Sequence, residues 1–99
     1  MAIERLVGLH VTDDALYQQY REAMLPILKQ HGGGFGYDFK IAEVLQSEVD
    51  QNINRLFTIY FESEKLMDDF FKNEKYLVVR NQYYVPAVSA TTIISKYSR

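Results

Sequence analysis

Along three segments of the chain, residues two positions apart form sets that would share one face of a β-strand, and a fourth segment also predicts a strand. In the second segment this spacing places Phe35, Tyr37, Phe39 and Ile41 on one face. The fourth segment is rich in β-branched residues, which favour strands. The predicted strands run over Ile3 to Val11, Phe35 to Leu45, Arg55 to Phe61 and Thr91 to Tyr97.

Between the strands, apolar residues recur every three to four positions, as on one side of an amphipathic helix. Thr12, Asp13 and Ser63 are residue types that cap helix starts, and Gly32 is suited to a helix end. Because proline disfavours helical conformation in the residue before it, a helix should stop before Pro86. The predicted helices run from Thr12–Asp13 to His31–Gly32, onwards from Ser63, and from about Glu74 to Tyr84.

The order β-α-β-β-α-β predicts an α+β fold of the ferredoxin-like type, with a four-stranded antiparallel sheet and helices on one face. With 99 residues the chain has room for one hydrophobic core, so we expect a single domain spanning residues 1–99. The sheet face without helices should be mainly polar if water covers it.

Neither face of the predicted sheet is mainly polar. The residues predicted on the less apolar face are Leu6, Gly8, His10, Gly36, Asp38, Lys40, Leu56, Thr58, Tyr60 and Ile94. A partner should cover this face, and the simplest partner is a second copy related by a two-fold axis. We therefore predict a homodimer.

The composition restricts the class of protein. A hydrophobic fraction of 47% and a charged fraction of 24% are those of a globular domain rather than of a disordered or fibrous chain. The net charge is −2 and the basic residues are scattered, so we expect no nucleic-acid partner. No apolar run approaches the roughly 20 residues of a membrane helix, and the first residues lack a signal-peptide pattern. We expect a cytoplasmic protein without a membrane partner.

Few residues suit metal or cofactor chemistry. Cysteine is absent, which excludes disulfides, thiolate metal sites and cysteine nucleophiles. His10 and His31 are the only histidines, and the acid–histidine spacing of a zinc site does not accompany them. Gly32-Gly33-Gly34 closes a helix and opens a strand, the reverse of a phosphate loop, so we interpret it as a helix cap. We expect no metal and no cofactor.

Aromatic residues are abundant, with eight Tyr and six Phe. Tyrosine suits interfaces and half-buried pockets because it joins an apolar ring to one polar tip, although the same rings can simply fill a small core. The candidate ligand-binding residues are His10, Tyr37, Asp38, Lys40, Tyr60 and Arg80, with Thr58 and Tyr76 in a wider set. Four of the candidates, His10, Asp38, Lys40 and Tyr60, belong to the less apolar face. On a dimer-facing side they can form the polar part of an apolar pocket; alternatively, Asp38 and Lys40 pair with their counterparts across the interface.

Four stretches of the sequence resemble a known family. They are Val11-Thr12-Asp13, His31-Gly32-Gly33, Phe61-Glu62-Ser63 and Phe70-Phe71-Lys72-Asn73-Glu74-Lys75-Tyr76. The resemblance covers nearly the whole chain and is to small bacterial domains of unknown function in the dimeric α+β barrel superfamily. It implies a ferredoxin-like protomer whose sheet packs face to face with that of a second copy. Better-studied members of that superfamily include cofactor-free monooxygenases, haem-degrading enzymes and muconolactone isomerase-like proteins.

Two functions remain open. One is a dimeric module that binds a small apolar or aromatic molecule between sheet and partner, or that has a purely structural role. The alternative is a cofactor-independent monooxygenase or isomerase that uses His10 or a tyrosine as acid or base. His10 ends a strand that is central in this fold, so we expect it to reach a pocket on the second face, where an imidazole could act as acid or base.

Overall fold

The computed structural model describes residues 1–99 and arranges them as one antiparallel sheet with helices packed on one face. The strand order is β2-β3-β1-β4, so the ferredoxin-like architecture is confirmed and β1 is central. The elements are β1 Ile3–Val11, α1 Asp14–Gln30, β2 Gly33–Lys40, β3 Arg55–Phe61, α2 Glu64–Lys72, α3 Glu74–Val79, a π-helical turn Arg80–Tyr84, α4 Val85–Ala87 and β4 Val88–Ser98. None of the helices has both the length and the apolar character needed to cross a membrane.

Side-chain caps start three of the helices. Asp13 accepts a hydrogen bond from the Leu16 amide at 3.0 Å, and Ser63 accepts one from the Leu66 amide at 3.2 Å. Asn73 does the same for α3, which separates it from α2. These bonds satisfy backbone donors that a helix start leaves free, so the helix starts are fixed locally by sequence.

The predicted ends of β2 and of the last helix are wrong. The strand β2 ends at Lys40 rather than Leu45, because its one neighbour, β3, begins at Arg55 and Lys40 pairs with that residue. Residues 41–54 instead form a long connection. Helical structure continues past Pro86, because the Val85 amide bonds the carbonyl of Arg80 and a new turn begins there. Pro86 lies in the first turn of α4, where backbone amides have no partner within the helix, so the missing proline N–H removes no helical hydrogen bond.

A β-bulge in β2 changes which side chains face the helices. Phe35 pairs with Ile59, but the next pair is Asp38 with Phe57, so β2 contains one extra residue over this stretch. Beyond the bulge, Asp38 faces the helices. We call the other side of the sheet, which carries Tyr37, Phe39, Thr58 and Tyr60, the open face. The predicted grouping of Phe35, Tyr37 and Phe39 on one face is therefore wrong.

Gly36 and Thr58 fit together at the bulge. The Thr58 hydroxyl, which is buried, accepts a hydrogen bond from the Tyr37 amide at 2.9 Å. This bond satisfies a backbone donor that the irregular pairing would otherwise leave without a partner. A Cβ atom on Gly36 would lie 2.6 Å from the same hydroxyl oxygen, so a side chain there would displace Thr58.

The hydrophobic core lies between the helices and the inner sides of β1 and β3. Its largest fully buried side chains are Tyr17, Phe61, Phe70, Leu9, Met24, Leu28 and Met67. Aromatic rings contact one another throughout, and the Phe70 and Tyr76 centroids lie 4.2 Å apart. Many of the aromatic side chains therefore fill the core, which is one of the two roles that the sequence suggested for them.

Asp38 joins α1 to the sheet edge through two arginines. Its carboxylate accepts hydrogen bonds from Arg55 at 2.8 Å and lies 3.1 Å from the Arg21 guanidinium, and both arginine side chains are mostly buried. Burial raises the pKa of Asp38, but the hydrogen bonds from Arg55 and the charge of Arg21 lower it by more, so this pKa lies below its ordinary value.

Replacement Asp38→Asn should lower the free energy of unfolding near neutral pH by about 1–3 kcal/mol, because two arginines then face each other without their shared counter-ion. The folded pKa of Asp38 lies below the unfolded value of about 3.9, so its stabilisation is present above that pH. This stabilisation is lost as the pH falls from about 3.9 through the folded pKa of Asp38, and the free energy of unfolding of the variant should not show that decrease. Urea titrations at several pH values measure the free energy of unfolding and its dependence on pH. Asp69→Asn, which removes an exposed pair with Lys65, is the control and should unfold like the wild type.

Replacement Thr58→Val should destabilise the protein by about 1–3 kcal/mol, because the Tyr37 amide loses its partner without any change in side-chain shape. Thr92→Val on the neighbouring part of the open face removes a hydroxyl that makes no hydrogen bond within the chain and serves as the control. Thermal unfolding of both variants measures the difference. Equal stability of the two would contradict the role assigned to Thr58.

Candidate ligand cavity

A cavity of about 240 Å³ lies between the helix-facing side of the sheet and the segment formed by α1, α3 and the π-helical turn. Of the 15 residues that line it, 11 are hydrophobic. Mostly apolar walls with a few polar groups are the usual makeup of a small-molecule site.

Four tyrosines form one wall of the cavity. Tyr17 and Tyr20 come from α1, Tyr76 from α3 and Tyr84 from the π-helical turn. The Tyr20 ring lies 5.0 Å from the Tyr84 ring between centroids, and the Tyr20 and Tyr76 hydroxyls are hydrogen-bonded at 2.9 Å. The Tyr84 hydroxyl is hydrogen-bonded to that of Thr91 on β4.

Burial keeps these phenols protonated. It raises the pKa of Tyr17 to about 12, although the charge and hydrogen bond of Arg21 act in the opposite direction. Burial likewise raises the pKa of Tyr20 well above its ordinary value, and those of Tyr76 and Tyr84 also rise. Near neutral pH the tyrosines can therefore donate or accept hydrogen bonds, but they are poor bases.

Three arginines line the cavity, and no acidic residue does. The Arg21 guanidinium lies 3.9 Å above the centre of the Phe35 ring and donates to the Tyr17 hydroxyl at 2.8 Å. Asp38, just outside the lining, forms an ion pair with Arg21 and shares its carboxylate with Arg55. Arg5 and Arg80 lie over the rings of Phe71 and Tyr84, at 5.0 Å and 5.4 Å. The cavity is therefore aromatic with excess positive charge.

The opening of the cavity lies beside the edge strand β4. Thr91 and Ile93 are the exposed members of the lining, and Ile93 is 53% exposed. The hydrogen bond between Tyr84 and Thr91 links the π-helical turn to β4 at this place. A ligand would therefore enter between that turn and the sheet edge.

Of the predicted site residues, Arg80 lines the cavity, and so does Tyr76 from the wider set. Asp38 contacts Arg21 behind the wall, and Lys40 lies 3.6 Å from Asp14 in an exposed pair. Asp38 and Lys40 each have a different partner within the chain, and the alternative that the two pair with their counterparts between copies stays a prediction.

His10, Tyr37 and Tyr60 lie on the open face and outside the cavity. His10 Nδ1 is 2.7 Å from the Ser89 hydroxyl, Tyr37 stacks on Phe39, and the Arg99 guanidinium lies 3.7 Å above the centre of the Tyr60 ring. The expectation that His10 and Tyr60 share a face with Asp38 and Lys40 is wrong, because the bulge in β2 moves the latter two to the other side.

The sequence interpretation missed most of the cavity wall. Tyr17 and Tyr20 are three residues apart, a spacing that places them on one side of a helix. Arg5 is in phase with the apolar residues Val7 and Leu9, so an arginine points from β1 towards the core. These two signals were present in the sequence. No group of three or more His, Cys, Asp or Glu side chains is placed to hold a metal.

Several solved structures are similar to the chain. A protein of unknown function from Rhodopseudomonas palustris has a TM-score of 0.80 at 14% identity, over 99% of this chain and 82% of that one. A DABB family protein with a ferredoxin-like fold from Mesorhizobium loti has a TM-score of 0.68 at 14% identity, with coverages of 99% and 96%. A dimeric ferredoxin-like protein of unknown function from Thermobifida fusca has a TM-score of 0.62 at 12% identity, with coverages of 100% and 92%. At such identities the likeness concerns the fold.

No curated protein matches the chain in sequence. The family model described as Domain of unknown function (DUF1330) matches residues 5–97. This match includes most or all of each strand, all helices and every residue of the cavity lining. The chain therefore belongs to the DUF1330 family.

Proposed function

We propose that the protein binds a small, mainly apolar molecule of about one ring in the cavity of each protomer. The observation that carries the proposal is a cavity with 11 hydrophobic residues among 15, bordered by protonated tyrosine hydroxyls. An apolar protein cavity of about 150 Å³ holds benzene. The volume of about 240 Å³ therefore suits one ring with a polar substituent.

This proposal moves the ligand from the space between sheet and partner to the helix side of the sheet. The geometry also favours binding over acid–base catalysis. His10 lies outside the cavity, and the lining tyrosines have raised pKa values, so none of them is poised to remove a proton near neutral pH.

The neutral ring compound para-toluamide is a suitable probe of the cavity. Its binding should shift the amide NMR signals of Tyr20, Tyr76 and Tyr84 in the wild type. Ile93→Trp should weaken this binding by about tenfold or more, because the larger side chain fills the opening beside β4.

Ile94→Trp is the matched control for that experiment. Ile94 is the next residue and is 49% exposed, but it does not line the cavity. Its replacement should change the affinity by less than about twofold. Wild-type protein whose amide signals do not shift with millimolar para-toluamide would overturn the proposed function. If the two variants changed the affinity equally, ligand entry beside β4 would be contradicted.

We also propose a cytoplasmic homodimer joined through the open face. Apolar rings remain exposed there: Tyr37 is 66% exposed and Phe39 is 52% exposed, and the two are stacked. Tyr97 on β4 is 40% exposed on the same face. Such a patch marks an interaction site, and the dimeric relative from Thermobifida fusca supports a second copy as its partner. The cytoplasmic location rests on the sequence, which has no cysteine.

Light scattering coupled to size exclusion should give the wild type twice the chain mass of 11.6 kDa. Phe39→Glu should give the monomer mass, because an unpaired carboxylate would be buried at the interface. Val78→Glu is the control: this valine is 65% exposed on α3, away from the open face, and its variant should remain dimeric. A monomeric wild type, or a dimer of the Phe39→Glu variant, would contradict the face-to-face assembly.

A further inference from the structure

Arg5 is a half-buried cationic side chain that makes no ion pair within the chain. It projects from the central strand β1 into the cavity, where its guanidinium lies 5.0 Å from the centre of the Phe71 ring. Its Nε atom is buried and has no hydrogen-bond partner, and it is the one buried side-chain nitrogen or oxygen of the chain in that situation. An unsatisfied charged donor in such a place is costly, so a partner is expected.

The chain offers Arg5 no carboxylate of its own. The hydrogen bond and charge of Lys96, with a smaller effect of the Arg5 charge, lower the pKa of Glu64. The Glu64 carboxylate is hydrogen-bonded to Lys96 at 2.8 Å and makes no ion pair with Arg5. Asp38 is held between Arg21 and Arg55. Arg80, the other arginine of the lining without an ion pair, contacts the face of Tyr84.

We propose that the ligand is an amphipathic monoanion, a ring-sized carboxylic acid whose carboxylate is bound by Arg5. This inference rests on the proposed function of the cavity. The ring of the acid would lie among the aromatic walls, and its carboxylate would accept hydrogen bonds from the terminal nitrogens of the Arg5 guanidinium. A guanidinium offers paired donors that match the two oxygens of a carboxylate.

The mostly apolar walls favour a ligand with a single negative charge. Arg21 shares the Asp38 carboxylate with Arg55, whereas Arg5 and Arg80 make no ion pair and the lining contains no acid. A multiply charged ligand would need many more donors than mostly apolar walls supply. The uncharged remainder of the ligand is limited to about one ring by the cavity volume of about 240 Å³.

Para-toluate and para-toluamide have the same shape and differ in charge, so their affinities isolate the role of the carboxylate. Titrations followed by NMR near neutral pH should show wild-type protein binding para-toluate about 10- to 100-fold more tightly than para-toluamide. Arg5→Met should bring the two affinities to within about threefold of each other, and Arg5→Lys should restore part of the preference.

Arg99→Met is the matched control, because it removes one positive charge on the open-face side of the sheet, where Arg99 contacts Glu4 and Tyr60. It should leave the preference for para-toluate unchanged. The melting temperature of ligand-free Arg5→Met should equal or exceed that of the wild type, because an unpartnered buried donor is removed. A lowered melting temperature with an intact preference would assign Arg5 a structural role instead.

The outcomes separate the two proposals. If neither compound binds, the proposed function itself fails. If both bind with equal affinity, the cavity binds ligands but the anion is not recognised, and the inference about Arg5 is overturned. If Arg99→Met abolishes the preference as fully as Arg5→Met does, the preference comes from overall charge, and the inference is again overturned.

Discussion

The pairing of β2 with β3 gains one residue between Phe35 and Asp38, and most of the polar architecture depends on this irregularity. Before the bulge β2 contributes Phe35 to the cavity wall. After it, the strand turns Asp38 towards the helices and leaves the Tyr37–Phe39 stack on the open face. The buried hydroxyl of Thr58 stabilises the bulge by accepting a hydrogen bond from the Tyr37 amide.

Placing Asp38 on the helix side has an electrostatic consequence for the cavity. One carboxylate binds two arginines, so α1 is joined to β2 and β3, and the Arg21 guanidinium lies 3.9 Å above the centre of the Phe35 ring. Without Asp38 the cavity would carry three uncompensated cations in a mostly apolar space, which is strongly unfavourable. With it, Arg21 shares a carboxylate with Arg55, and Arg5 and Arg80 remain without one.

The sequence predicted the architecture because that information is local. The bounds of β1 and β3 match the alternation pattern, and Asp13 and Ser63 start helices through bonds that span three residues. Strand pairing is not local, and therefore the alternation of β2 gave no sign that its phase would change before Asp38. The cavity was missed for a related reason: its wall combines Arg5 of β1 with tyrosines from α1, α3 and the π-helical turn, segments far apart in the chain.

The sheet is one strand layer thick, so residues that line the cavity and residues of the open face alternate along the same strands. In β3, Phe57 and Ile59 border the cavity while Thr58 and Tyr60 belong to the open face. Point mutations can therefore alter the cavity and the open face separately during evolution. A deletion of one codon at Gly36 or Tyr37 would act differently, since it would exchange the two sides for every β2 residue that follows and alter the cavity and the open face at once. Within this family, the length of β2 should accordingly be under stronger selection than the identity of its exposed side chains.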